Sequence, residues 1–149
     1  MYVGGRANTV ARRYARFWVA VLDRGLFPGG GVVLEVPGRS SGEPRTFPLI
    51  EARIDGQRYL VSMLGEQCNW VRNVRAASGA VKLRHGPVEP VQLVEIPVQQ
   101  RARVIKRYLK QVPGARPHIP VDRRSDVSAF ETIADRYPVF RITARQPQS

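Results

Sequence analysis

The chain has 149 residues, 43% of them hydrophobic, with 24 basic and 12 acidic side chains and a formal net charge of +12. This length predicts one domain whose core is large enough to fold without disulfides or a structural metal. No apolar run approaches the roughly 20 residues that cross a bilayer. The lone Cys68 excludes a disulfide framework, and two histidines leave no usual zinc site. Because the N-terminus lacks the pattern of a secretory signal, we expect a cytoplasmic protein.

The surplus of basic residues indicates an anionic partner: nucleic acid, a membrane surface or a small polyanionic ligand. Most of these residues are arginine, whose guanidinium makes forked contacts with phosphate and carboxylate. A solvated, positively charged surface is the simpler alternative. The arginines are spread along the chain and no nucleic-acid motif occurs, so we expect no nucleic-acid partner. A basic nucleic-acid-binding module is kept as the second alternative function.

Residues 8–24 are the first periodic segment, with apolar residues on one arc of a helix and basic residues on the other. The apolar arc contains Val10, Tyr14, Phe17, Trp18, Val21 and Leu22. Such a helix packs on its own domain or lies on an anionic membrane, so peripheral membrane contact is an open alternative. We divide the chain into this helix and its loop (1–30), a main domain (31–144) and a loose tail (145–149).

From residue 32 the hydrophobic period changes to that of strands. The predicted strands cover residues 32–36, 46–54, 58–63, 80–84, 88–98 and 137–142, and the predicted helices cover residues 67–77, 99–111 and 125–136. Asp55-Gly56 predicts a hairpin turn, and Pro138 near the start of the last strand predicts an edge position. Strands that follow one another without regular crossover helices predict a mainly β (α+β) domain, an antiparallel barrel or open sheet with peripheral helices.

The loop between the first two strands is the most informative stretch of the sequence. Its two glycines, Gly38 and Gly42, allow successive backbone N–H groups to point inward. The side chains around such a nest would be Arg39, Ser40, Ser41 and Arg45. This set suits an anion, because guanidinium and hydroxyl groups both donate hydrogen bonds. A polar hairpin loop with two surface arginines is an equally weighted alternative.

The same stretch resembles a known family. Gly-Arg-x-Ser-Gly-x-Pro-Arg-Thr-x-Pro-Leu, at residues 38–49, is similar to the hallmark of the deazaflavin-dependent nitroreductase and quinone reductase family. Residues 70–76 resemble the family's Trp-x-x-Asn-Leu-Arg-Ala helix, and residues 137–142 resemble its last strand. The resemblance covers most of the chain between residues 32 and 142. It implies a split β-barrel of about six mostly antiparallel strands, related to flavin-binding oxidases and reductases.

The resemblance also implies a cofactor, the deazaflavin coenzyme F420, and a role for several residues. Reduced F420 gives a hydride to a quinone, an enone or a similar activated acceptor, and its phosphate and oligoglutamate tail would give the basic groove a purpose. The implied cofactor-binding residues are Arg39, Ser40, Ser41 and Arg45 at the phosphate and tail, Thr46, Pro48 and Leu49 under the ring, Ser62, Met63, Leu64 and Gly65 along the ring, and Trp70 and Asn73 closing the pocket.

Two departures from the family pattern bear on function. Ser40 stands where the family often has lysine, which leaves Arg72 or Arg75 to supply the missing charge. Members that reduce nitro compounds carry tyrosines on the helix before the last strand, whereas residues 125–136 contain none. We therefore expect poor nitroreduction.

The remaining expectations concern the acceptor, the proton and the alternatives. The acceptor pocket is predicted from Phe17, Trp18, Phe130 and Ile133. Hydride transfer needs alignment rather than acid–base groups, and the product proton would come from solvent or from Ser62, the one candidate catalytic hydroxyl. The first alternative is an FMN-binding or inactive split-barrel relative. A homodimer is an open expectation, and no metal is expected.

Overall fold

The computed structural model describes residues 31–112, 116 and 118–145. Seven strands form one sheet in the order β2-β1-β5-β6-β7-β4-β3, and all neighbouring strands are antiparallel. The strands are β1 (Gly31–Pro37), β2 (Pro44–Ile50), β3 (Ala52–Ile54), β4 (Gln57–Val61), β5 (Ala80–Arg84), β6 (Val88–Glu95) and β7 (Val139–Ala144). In the described part of the chain three helices accompany the sheet: α1 (Asn69–Ala76), α2 (Ala102–Gln111) and α3 (Val127–Glu131), with 3₁₀ turns at Val98–Gln100 and Ala134–Arg136.

The connection between β2 and β3 shows why the sheet curls. These two strands are the opposite edges of the sheet, yet only Glu51 separates them in sequence. The two edges must therefore lie side by side, and the sheet closes into a half-barrel. Glu51 is 1% exposed at this joint, and its carboxylate accepts hydrogen bonds from Arg53 Nε (3.0 Å) and from Arg58 Nε (2.8 Å) and Nη2 (3.0 Å). The predicted split β-barrel fold is confirmed.

Strand alternation divides the buried side chains between two cores. On β4, Leu60 belongs to one core, whereas Tyr59 and Val61 belong to the other, as the period of two requires. The α1 core lies between the curled sheet and α1, and it includes Val32, Leu34, Val36, Trp70, Val71, Val74 and Phe140. The α2 core lies under α2 and α3, and it includes Tyr59, Val61, Ile105, Leu109, Phe130, Ile133 and Val139.

Several predicted elements are confirmed. β5 has the predicted bounds, and Asp55 and Gly56 form the two-residue turn between β3 and β4, with φ of 52° and 79°. Two consecutive residues at positive φ are the geometry of the hairpin turn that Asp-Gly favours. The helix predicted at residues 8–24, with its membrane contact, lies outside the described residues, as does the tail beyond residue 145.

Other predictions were wrong in their bounds. The single strand predicted at residues 46–54 is two strands, so the sheet has seven strands rather than about six. The helix predicted at residues 125–136 ends at Glu131, where Thr132 Oγ1 donates to the Ala129 carbonyl (2.7 Å). The chain then turns at Ile133, which enters the α2 core. The predicted helix at residues 99–111 begins its α-helical part only at Ala102, after a 3₁₀ turn.

The last strand is central and not an edge. β7 pairs with β4 on one side and with β6 on the other. Pro138 does not interrupt this ladder because β7 begins one residue later, at Val139. The Pro138 carbonyl instead accepts a hydrogen bond from the backbone N–H of Ser62 (2.9 Å). The proline therefore ends one loop and anchors another.

Candidate functional site

The loop between β1 and β2, residues 38–43, is a compact turn closed by its own backbone. The N–H of Gly38 donates to the Glu43 carbonyl, and the N–H of Gly42 donates to the Gly38 carbonyl, both at 2.8 Å. Gly42 has φ of +76°, a conformation that favours glycine. The backbone N–H of Glu43 donates to Ser41 Oγ (3.2 Å). The sequence prediction of a tight, curled loop therefore agrees with the structure.

Arg39 docks this loop onto helix α1, and we call the loop, together with Arg45 at the start of β2, the anion loop. The side-chain oxygen of Asn73 accepts from the Arg39 backbone N–H (3.2 Å) and from Arg39 Nη1 (2.8 Å). Arg39 Nη2 reaches Asn69 Oδ1 at 3.4 Å. Asn73 is 4% exposed, so its amide is fixed by the helix packing around it. The guanidinium is thus oriented by neutral acceptors.

Arg45 folds back over the start of the same loop. A Cβ placed on Gly38 would lie 3.3 Å from Arg45 Nε and 3.0 Å from Ser41 Oγ. The absence of a side chain at Gly38 therefore lets both polar groups close over the turn. Among the described residues, no carboxylate forms an ion pair with Arg39 or Arg45. Two guanidinium groups without acidic partners on one short loop suit an acidic ligand group.

The other predicted phosphate and ring residues follow along the anion loop and β2. Ser40 and Ser41 are exposed at the loop, and so is Thr46 on β2. Pro48 and Leu49 are half-buried and pair with Val33 and Val32 of β1. The structure thus places this part of the predicted set on one continuous segment.

A second loop, residues 62–66, leads from β4 towards α1, and we call it the ring loop. Ser62 is 1% exposed, and its Oγ donates to the Gly65 carbonyl (2.7 Å). Ser62 Oγ also lies 3.3 Å from Cys68 Sγ. The N–H of Gly65 closes the loop on the Ser62 carbonyl (3.2 Å). Ser62 therefore shapes this loop, and its hydroxyl proton is committed to a carbonyl.

The middle of the ring loop is more open than its ends. Leu64 is 46% exposed, whereas Met63 is half-buried and packs against the α2 core. Gly65 has φ of +95°, so any other residue there would be strained. The exposed Leu64, between the half-buried Met63 and Gly65, offers an apolar surface to a planar ligand. Its contact with a cofactor ring stays a prediction.

Of the remaining predicted residues, those that the structure describes lie in the two cores. The Trp70 ring packs against Phe140 with centroids 5.6 Å apart and is 7% exposed. Phe130 is fully buried and Ile133 is 6% exposed, both in the α2 core. Phe17 and Trp18 lie outside the described residues. The predicted acceptor pocket therefore stays a prediction.

Sequence reasoning missed several residues that organise the site. Asn69 lies one helical turn before Asn73, and this spacing of four on a predicted helix was a usable signal. Glu66 pairs with Arg75 (2.8 Å), and no pattern in the sequence relates positions nine residues apart across a loop and a helix. This pairing lowers the pKa of Glu66, chiefly through the hydrogen bond from Arg75. The pKa of Arg75 is raised by its hydrogen bonds to Glu95 and Glu66.

A separate cavity of about 710 Å³ lies at the opposite end of β1, beside Gly31. Its charged lining residues are already paired, Glu51 with Arg53 and Arg58, and Arg58 with Glu89. The charges that line this cavity therefore cancel one another, whereas the arginines of the anion loop have no acidic partner among the described residues. Among the described residues, no group of three or more His, Cys, Asp or Glu side chains could hold a metal ion. In the same part of the chain, none of the helices has the length and apolar character needed to cross a membrane.

A family model and several solved structures are similar to this chain. Residues 7–128 match the family model of F420H(2)-dependent quinone reductase. None of the curated proteins matches the chain. Among solved structures, an F420-H2 dependent reductase (FDR-A) is 23% identical, with a TM-score of 0.52, covering 75% of this chain and 92% of that one.

Two further structures, lower in sequence identity, share the fold. A domain-swapped dimer is 18% identical, with a TM-score of 0.54, covering 93% of this chain and 99% of that one. A FAD-binding protein from Mesorhizobium loti is 18% identical, with a TM-score of 0.50, covering 87% and 89%. At these identities the structures show the fold alone, and the family model is the stronger finding.

Proposed function

The chain belongs to the F420H(2)-dependent quinone reductase family and is a deazaflavin-dependent oxidoreductase, and from this premise we propose that it passes a hydride from reduced F420 to a quinone, an enone or a similar activated acceptor. The observation that carries the proposal is the anion loop. Its two guanidinium groups have no acidic partner among the described residues, and Arg39 is held on α1 by Asn73 and Asn69.

The donor set of the anion loop fits the acidic part of F420. Arg39 and Arg45 supply charge, and the hydroxyls of Ser40 and Ser41 supply neutral donors. Because Arg39 is already oriented by uncharged amides, its binding to an anion requires little reorganisation. These four residues would hold the phosphate and the oligoglutamate tail.

The ring would lie against β2 and beside the ring loop. We assign Thr46, Pro48 and Leu49 to the face under the ring, and Ser62, Met63, Leu64 and Gly65 to positions along it, so that the other face stays open to an acceptor. Both segments reach α1, which supports this arrangement: Phe47 and Leu49 pack against the α1 core, and Cys68 joins the ring loop to the helix. Asn73 acts from α1 through Arg39, and Trp70 supports the helix through Phe140.

The protein's part in the reaction is alignment and exclusion of water. When bound, reduced F420 supplies the hydride. The residues of the ring loop and β2 fix the plane on which an acceptor stacks, which is what a hydride donor needs most. We assign the product proton to solvent, because the buried hydroxyl of Ser62 already donates to the Gly65 carbonyl.

One alternative cofactor has support from a comparison. The Mesorhizobium loti neighbour is a FAD-binding protein, so the shared fold accommodates an ordinary flavin as well as a deazaflavin. An FMN-binding or inactive relative is therefore the second candidate function. The domain-swapped dimer among the neighbours likewise supports the proposal that this chain forms a homodimer.

The test is a fluorescence titration of the purified protein with oxidised and reduced F420, run beside FMN. Arg39→Ala and Arg45→Ala should each raise the Kd for F420 about tenfold, the effect of one lost charge-assisted contact. Arg107→Ala removes an exposed charge on α2 and serves as the matched control. Absence of F420 binding to the wild type, or two site variants that bind like the control, would refute the proposal. Binding of FMN alone would favour the second candidate.

A further inference from the structure

We infer that a chain of alternating charges, which we call the ion-pair relay, fixes the position of the ring loop relative to the anion loop. From the interior to the surface, its members are Arg101, Glu95, Arg75 and Glu66. The inference rests on the proposed function, because it assigns the relay a role in positioning the two halves of the coenzyme site.

Arg101 is the buried end of the ion-pair relay. It is 6% exposed, and its guanidinium donates to the backbone carbonyls of Ile96 (3.0 Å), Ala134 (3.3 Å) and Tyr137 (3.4 Å). Its remaining charged contact is with Glu95 Oε2 at 3.1 Å. A buried arginine satisfied in this way holds the end of β6 against the 3₁₀ turn that precedes β7.

That 3₁₀ turn is the surface on which the ring loop rests. A Cβ on Gly65 would lie 3.5 Å from the backbone carbonyl oxygen of Arg136, the last residue of the turn. The buried Arg101 donates a hydrogen bond to the same turn, at the Ala134 carbonyl. One side of the ring loop is therefore set by the residue that begins the relay.

The other side of the ring loop is set by the outer end of the relay. Glu95 accepts from Arg75 Nε (2.9 Å) and Arg75 Nη2 (2.7 Å), a forked contact that fixes the guanidinium plane. The third nitrogen, Nη1, donates to Glu66 Oε2 at 2.8 Å. Arg75 lies in the last turn of α1, the helix whose Asn73 holds the anion loop. One short helix therefore holds both loops, each through a different side chain.

The charges of the relay allow positioning to be distinguished from simple attraction, because the two predict opposite changes in coenzyme affinity. Two arginines and two glutamates cancel, so the relay as a whole adds no net charge beside the coenzyme. Neutralising Glu66 would leave a surplus positive charge near the ring loop, and simple attraction would then bind an acidic coenzyme more tightly. Positioning predicts the opposite result, weaker binding, because the loop loses its tether to α1.

The experiment compares Glu66→Gln with a control, Glu89→Gln. Glu89 forms another partly exposed ion pair, with Arg58, and the control removes its carboxylate. Hydrogen exchange of the backbone amides at residues 62–66 and the Kd for F420 are measured on the full chain. For Glu66→Gln we expect exchange at least about threefold faster and a Kd raised at least about threefold, with Tm within about 2 °C of wild type because exposed pairs contribute little to folding. Glu89→Gln should change neither readout.

Unchanged exchange, or faster exchange with equal or tighter coenzyme binding, would overturn the inference. A wild-type protein that binds no F420 would refute the proposed function instead. The exchange readout needs no coenzyme, so it separates the two failures.

Discussion

The side-chain oxygen of Asn73 accepts two hydrogen bonds from Arg39, one from the backbone N–H at 3.2 Å and one from the guanidinium at 2.8 Å. A single amide therefore holds both the loop backbone and the guanidinium of Arg39 in position. Because the amide is neutral, the guanidinium remains available to an anion, which a carboxylate at the same position would compete with.

This relationship predicts the effect of Asn73→Asp. The aspartate keeps the shape and both acceptor contacts, so Tm should stay within about 3 °C of wild type, but it neutralises Arg39 and adds a negative charge beside the coenzyme's acidic part. We expect the Kd for F420 to rise at least about tenfold, measured by fluorescence titration at low and high salt. Asn69→Asp, one turn away at the weaker 3.4 Å contact, should have a smaller effect. Unaltered affinity in Asn73→Asp would mean that Arg39 does not bind the coenzyme.

The sequence was sufficient to predict the anion loop but not the partner that orients it. Glycine spacing and two arginines are local features, and local features predict local turns. The Arg39–Asn73 contact joins positions 34 residues apart, which depends on how α1 packs on β1. No periodicity encodes that distance.

The break at Glu51 shows the same limit in the fold. Hydrophobic alternation predicts an extended segment at residues 46–54, and the segment is extended on both sides of Glu51. The residue at which a strand leaves one partner for another depends on the closure of the whole sheet. That closure is a tertiary property, so the seventh strand was not foreseen.

The buried carboxylate at this joint predicts a pH-dependent stability. Burial raises the pKa of Glu51, but hydrogen bonds and charge from Arg58 and Arg53 outweigh burial and hold it below its ordinary value of 4.5. A lowered folded-state pKa means that ionised Glu51 contributes stability above its unfolded value, and that the contribution is lost as pH falls through the folded value. Glu51→Gln should therefore lower the free energy of unfolding by about 1–3 kcal/mol at pH 7.

Urea denaturation of the wild type and of Glu51→Gln, repeated in steps of roughly one pH unit between pH 3 and 7, checks this prediction. The difference between the two proteins should be constant above pH ~5 and shrink below ~4.5 as the wild-type carboxylate is protonated. Glu131→Gln, an exposed position on α3, should show no such convergence. A difference that stays constant down to the lowest pH would show that Glu51 acts by packing rather than by charge.

Gly79 fixes the end of α1 and predicts a second stability effect. Its N–H donates to the Val74 carbonyl (2.9 Å), and its own carbonyl accepts from the Leu93 N–H (2.8 Å). At φ of +81°, an added Cβ would overlap the backbone carbonyl oxygen of Leu93. Gly79→Ala should cost more than about 3 kcal/mol of stability, because neither backbone segment can shift without breaking the β-ladder.

Gly86→Ala is the matched control for this substitution. Gly86 has a similar φ of +83°, but an added Cβ would have nothing within 4 Å. It should cost only about 1–2 kcal/mol, the backbone penalty alone. Thermal unfolding of both variants measures the difference, and equal losses would show that the contact with Leu93 is not tight.

Acceptor preference is the prediction that reaches furthest into function. Reduction of a nitro group develops negative charge on its oxygens, and hydrogen-bond donors aimed at that charge contribute strongly to the rate. The α3 segment, Val127–Glu131, contains no tyrosine, and its one aromatic ring, Phe130, is fully buried. In the proposed site a quinone would instead stack on the open face of the coenzyme ring, near the exposed Leu64. With F420H2 as donor, kcat/KM for a menaquinone analogue should exceed that for a nitroaromatic at least about tenfold. The rate is followed by the oxidation of F420H2. Arg39→Ala should lower both rates by the same factor, since it affects coenzyme binding alone. Equal kcat/KM for the nitroaromatic and the quinone would contradict the assignment.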